Sequence, residues 1–168
     1  MLSRLLSGIE AGIIGGLAML AMLAVSALER AHVWWETPNL LGSTFYGTRA
    51  FRSGPGASTL AGAAFELVIC GLMGSVFGLL FGGIRSRRLL LPLGAMFGVA
   101  WYYLADAFLW KRINPLVSVY SFPPAVIFSH VLFGACLGFM GRNFEAIPEP
   151  DIPAHLPVEA EPMRDAIE

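Results

Sequence analysis

Charge is what this sequence has least of. Asp, Glu, Lys and Arg together make up 14% of its 168 residues, against about 25% in soluble domains, and their formal sum is −1. A chain this neutral, without a concentrated basic surface, argues against a nucleic-acid partner. Cysteine is nearly missing. Cys70 and Cys136 each lie in an apolar run and form no metal-type pair, so they nominate neither a zinc site nor a redox compartment and read as small buried hydrophobes. Catalytic signatures are missing too. There is no phosphate-cradling glycine loop, no serine in a nucleophile elbow and no His-Glu-x-x-His. No cofactor is expected, and nothing supports an enzyme.

What the chain has in quantity is apolar surface and glycine. Apolar residues make up 56% and there are 19 glycines, the composition of a chain whose solvent is mostly lipid. Four apolar runs stand out, at 8–28, 58–84, 89–110 and 124–140. Each is near the roughly 17–25 residues that carry a helix through a bilayer. In oil, backbone amides must bond within their own segment, so such runs become helices. The expected fold is an all-α bundle of four transmembrane helices. The first run has Arg4 before it and Ser26 and Ala27 near its end, which is also the pattern of a secretory signal. Glu10 within the run and its length favour a retained span.

The connecting segments differ in kind. Residues 32–51 are too polar to span and too aromatic for a free linker. Trp34, Trp35, Phe45 and Tyr46 suit an interfacial loop at the headgroup level, where amphipathic rings prefer to sit. The second connection is very short and holds Arg85, Arg87 and Arg88 with no acid beside them. The basic residues divide almost evenly, Arg4, Arg85, Arg87, Arg88 and Arg142 on one side against Arg30, Arg49, Arg52, Lys111 and Arg112 on the other, but the short, acid-free connection is the cleaner mark of the cytoplasmic side, which puts both termini in the cytoplasm of a bacterial inner (plasma) membrane. Residues 143–168 hold five prolines and seven acids against one arginine and read as a disordered cytoplasmic tail open to a partner.

Two hairpins of one pattern are a further expectation. Aligning Trp35 with Trp110 brings Asn39 onto Asn114, Ser43 onto Ser118 and Phe45 onto Tyr120. In the helices that follow, Glu66, Cys70, Gly74 and Gly78 step by four, as do His130, Gly134 and Gly138. Chance similarity between two membrane hairpins is the competing reading. The glycines also predict how the helices meet. Gly8, Gly12 and Gly16 form one stripe, Gly74 and Gly78 a second, Gly94 and Gly98 a third, Gly134 and Gly138 a fourth. Small residues at this step let backbones approach, which is what drives association in lipid. Packing within one chain is expected; pairing of two copies through the first stripe is the alternative.

Ionisable groups inside a membrane cost about 2.5–3.5 kcal/mol each near a helix centre and are functional by default. With a rise of about 1.5 Å per residue, Glu66, Asp106 and His130 all fall in the outer half of the bilayer, with Glu29, Arg30 and His32 closing the outer end of the first helix. Tyr102 flanks Asp106 four residues away. Three readings compete: interfacial snorkelling plus inter-helix glue, a ligand- or ion-binding cavity open to the outside, and a metal site of His32, Glu66, Asp106 and His130.

At WWETPNLLGSTFYG, YYLADAFLW and HVLFGACLGFMGR the chain resembles small four-helix bacterial inner-membrane proteins of the YagU-like kind. The shared features are glycine-rich first helices and a His-x-x-x-Gly-x-x-x-Gly step, here His130, Gly134 and Gly138. The resemblance implies a membrane location and carries no activity with it. Glu66 stands where the internal repeat would put a histidine. The function expected from the sequence is that of a non-catalytic membrane protein, an accessory or structural subunit with a membrane-protein partner. A small transporter or channel component is the alternative.

Overall fold

A computed structural model describes residues 1–84 and 86–140 of the chain. Arg85, Arg142 and the acidic tail 143–168 lie outside the described residues. Among those described there is no strand, and the order is α1 (Leu2–Glu29), α2 (Glu36–Tyr46), a 3-10 turn (Gly47–Arg52), α3 (Ala57–Phe81), α4 (Arg87–Leu104), a π-helical segment (Ala105–Trp110), α5 (Lys111–Ile113), α6 (Pro115–Tyr120) and α7 (Pro123–Met140). Among the described residues three helices are long and apolar enough to cross a membrane: α1, α3 and the continuous stretch Arg87–Ile113. The apolar α7 is shorter. At 28 residues, α1 reaches about 42 Å at the α-helical rise, more than the roughly 30 Å hydrocarbon layer needs.

The long helices pack as two close pairs, α1 with α3 and α4 with α7, joined by a looser contact of α1 with α7. Glycine makes both pairs close. A β-carbon added at Gly8 would run into the backbone of Gly74, and one at Gly12 into that of Cys70. In the second pair a β-carbon at Gly94 would strike Gly134, and one at Gly98 would strike His130. As numbers rise along one helix they fall along its partner, so both pairs are antiparallel. The first glycine stripe is therefore filled by α3 of the same chain, which leaves no free surface there for a second copy. Phe133 of α7 lies against Gly15 on another face of α1, which makes α1 the central helix. The core between the pairs holds Met19, Leu23, Phe77, Leu90, Phe133 and Leu137, and α3 reaches α4 mainly through long side chains such as Phe77 on Phe97, 5.4 Å between ring centroids.

The segment 32–51, expected as an interfacial loop, is largely helical and partly buried. Its aromatic rim does stay out, with Trp34, Phe45 and Tyr46 exposed, but Pro38 to Ser43 are all buried. Two glycines explain the difference. Gly42 of α2 sits on the backbone of Ser58, and Gly62 of α3 on that of Pro38, so α2 lies against α3 with no side chain between them. Burying polar backbone there requires partners, and Asn39 supplies them. Its Nδ2 donates to the carbonyls of Ala50 and Ser53, both at 3.0 Å. Its Oδ1 accepts from the hydroxyls of Ser58 (3.2 Å) and Thr59 (2.6 Å). That fills the two donor and two acceptor places of an amide side chain.

Candidate functional site

Where α3 and α4 diverge, beneath α2 and α6, the bundle encloses a cavity with about 50 Å³ of room for water-sized molecules. One water needs roughly 10–15 Å³ by such a measure, so several small molecules or one small ligand fit. Glu66, Tyr102, Asp106 and His130 all line it. Three residues singled out from sequence depth, Glu66, Asp106 and His130, and a fourth, Tyr102, singled out by its spacing from Asp106, thus line one cavity. Met19 and Leu23 of α1 and Leu40 and Leu41 of α2 contribute apolar wall, Trp101 and Trp110 aromatic wall. No arginine or lysine is among the lining residues.

Each polar group is held in a way that leaves capacity unused. Glu66 is only 6% exposed, and its hydrogen bond comes from the Cys70 thiol one turn along α3, Sγ to Oε1 at 3.7 Å. A thiol is a weak donor, so this bond is little return for burying a carboxyl group. His130 is equally buried at 6%. Its Nδ1 lies 2.8 Å from the carbonyl oxygen of Val126. A carbonyl can only accept, so Nδ1 carries the hydrogen, and in the neutral ring the lone pair sits on Nε2. The rings of Tyr102 and His130 meet in an edge-type contact, 5.4 Å between centroids and 68° between planes. Asp106 accepts from the Ser118 hydroxyl at 2.7 Å, which ties the wall of the cavity to α6 in its roof.

Asp106 sits in the π-helical segment. Such segments are rare and frequently occur at functional sites, because the extra residue in the turn re-aims the side chains on it. The roof is tied across its two halves by Asn114, which caps α6 by accepting from the Leu116 amide at 3.2 Å and donates to Ser43 (2.8 Å) and Thr44 (3.1 Å) on α2. Sequence reasoning took Asn39 and Asn114 as repeat markers and missed that both are buried hubs. Their placement amid Pro, Gly, Ser and Thr in aromatic segments is the signal that was there to read.

Glu29, Arg30 and His32 do not join the cavity. Glu29 is exposed. His32 Nδ1 contacts Glu36 Oε1 at 2.9 Å, and Arg30 reaches Glu36 Oε2 at 3.5 Å while lying over the ring of Phe122 at 4.6 Å. They form a separate rim cluster around Glu36, a residue the sequence reading passed over. The four-residue metal site is corrected accordingly: with His32 held at the rim, no three His, Cys, Asp or Glu side chains among the described residues come near enough to share an ion. Comparison with known proteins finds no matching family model, no matching curated protein and no matching solved structure.

Proposed function

We propose that this chain is a four-span bacterial inner-membrane protein, with α7 as the fourth span and both termini cytoplasmic, which binds a small polar ligand in its cavity as a transporter or channel component. The observation that carries this reading is Glu66: a carboxyl group buried inside an apolar span, facing a cavity, with a thiol as its protein partner. Glue between helices would call for a strong partner on the neighbouring helix, and Glu66 has none there. The accessory-subunit role has no observation of comparable weight behind it.

Two further features support the architecture. Arg4 lies over the Gly82–Gly83 turn, at the same end as the exposed Arg87 and Arg88, in keeping with a cytoplasmic end. The two glycine-packed pairs also share a register: Gly8 on Gly74 parallels Gly94 on Gly134, and Gly12 on Cys70 parallels Gly98 on His130. This favours an internal repeat of two hairpins carried by the helices more than the loops, and its register sets Cys70, not Glu66 as the sequence suggested, in the place of His130.

Cysteine scanning along α3 tests the reading. Single cysteines from 57 to 81, in a background with Cys70 and Cys136 replaced by alanine, are exposed to a small water-soluble thiol reagent in membranes. Labelling is expected to extend from the α2 end of α3 down to position 69, on the cavity face. Labelling confined to the ends of the helix would overturn it.

A further inference from the structure

The cavity offers one kind of chemistry. It holds two carboxyl groups, on Glu66 and Asp106, and an imidazole whose free ring atom is an acceptor. No arginine or lysine among the described residues lines it. Of these acceptors, Asp106 already takes the Ser118 hydroxyl, whereas Nε2 of His130 has no partner among the described residues and Glu66 has a thiol. The surrounding surface is aromatic, with Trp101, Tyr102 and Trp110, and the negative faces of such rings attract cations. An anion would meet unpaired carboxyl groups in a low-dielectric site. A neutral apolar ligand would leave the acceptors without partners, at about 1–3 kcal/mol each. A metal ion would find no set of three converging ligands among the described residues. The matching guest is a small cation that carries several N–H donors and little bulk, given about 50 Å³ of space.

We infer that the cavity is a binding site for a primary ammonium group, an ammonium ion or a short primary amine, held by hydrogen bonds to Glu66 and to Nε2 of His130 against the rings of Tyr102 and the two tryptophans. The inference rests on the cavity reading above and names its ligand class. The same ammonium chemistry has two sources in a membrane, a free amine or the headgroup of phosphatidylethanolamine.

The test uses the full chain in nanodiscs of phosphatidylcholine and, separately, of phosphatidylethanolamine, with radiolabelled methylammonium as probe. Saturable binding is expected in phosphatidylcholine. It should weaken at least tenfold in Glu66→Gln and in His130→Phe, each checked for an unchanged elution volume and helix content. Tetramethylammonium, which keeps the charge but has no N–H, should not compete. Binding in both lipids assigns the site to a free amine; binding in phosphatidylcholine alone assigns it to the lipid headgroup. Absence of binding in both, or competition by tetramethylammonium equal to that of methylammonium, overturns the inference. A parallel measurement separates this from failure of the cavity itself. In the cysteine-free background, Ile69→Cys is treated with a small neutral thiol reagent, with and without methylammonium. Labelling that methylammonium slows supports the inference. Labelling that it does not slow overturns the ligand class and leaves the cavity standing. No labelling overturns both.

Discussion

The carboxyl group of Glu66 and the amide of Asn39 are both buried, yet they are opposite cases. Asn39 makes four hydrogen bonds and has none left to offer; Glu66 makes one, to a thiol. Removing the first should damage the fold, because a buried group left unpaired costs about 1–3 kcal/mol and several would be. Asn39→Ala is expected to lower unfolding stability in mild detergent by about 2–4 kcal/mol, read from denaturant melts followed by helix signal. Ala31 gives a prediction of the other sign. It closes α1 at φ 59, with His32 N–H on the Ala27 carbonyl at 2.9 Å and its own N–H on that of Leu28 at 3.0 Å. This left-handed ending suits glycine and costs another residue roughly 1–2 kcal/mol. Ala31→Gly should therefore raise stability by about 1 kcal/mol in the same melts; no change or a loss would show that the end of α1 is not closed this way.

At the scale of elements, glycine decides which helices touch. Gly74 stands against the backbones of Gly8 and Gly12, whereas Gly54, in the turn before α3, has nothing within 4 Å of an added β-carbon. Gly74→Leu should force α1 from α3 and give aggregated or dissociated material on gel filtration, while Gly54→Ala should elute and melt as the parent does. Matching behaviour of the two variants would refute the packing. Much of this level was legible in advance. A four-residue step of glycine is a property of one helix face, so the stripes could be read without knowing their partners, and a fixed helical rise put Glu66, Asp106 and His130 at similar depths. Other features depend on contacts that sequence spacing does not encode. The burial of Pro38 to Ser43 follows from Gly42 and Gly62 meeting across 20 residues of chain. Glu36 gathers Arg30 and His32 only because the chain turns back after α1. The π-helical segment at Asp106 arises from a local shift in backbone bonding that no residue in Ala105–Trp110 announces.

For the whole molecule, the orientation proposed above rests on Arg4, Arg87 and Arg88 at the end with the short second connection, although Arg30, Arg49, Arg52, Lys111 and Arg112 lie at the other. Gly54 lies in an exposed turn at the α2 end, and Ser86 is exposed at the opposite end beside Arg87 and Arg88. In a cysteine-free background, a membrane-impermeant thiol reagent applied to intact cells should label Gly54→Cys and spare Ser86→Cys until the membrane is opened. The reverse pattern would invert the orientation and turn the cavity toward the cytoplasm. At this scale the cavity is also a cost to the bundle, since a carboxyl group inside a span opposes insertion and packing. If Glu66 is kept for a ligand, an apolar residue of similar size should serve the fold better; if it is glue, the fold should need it. The most direct measurement is the unfolding free energy of Glu66→Met against the parent chain, both free of added amine. The account predicts a gain of about 1–3 kcal/mol in stability, on the order of the cost of a charged group at a helix centre. A loss of similar size would contradict it.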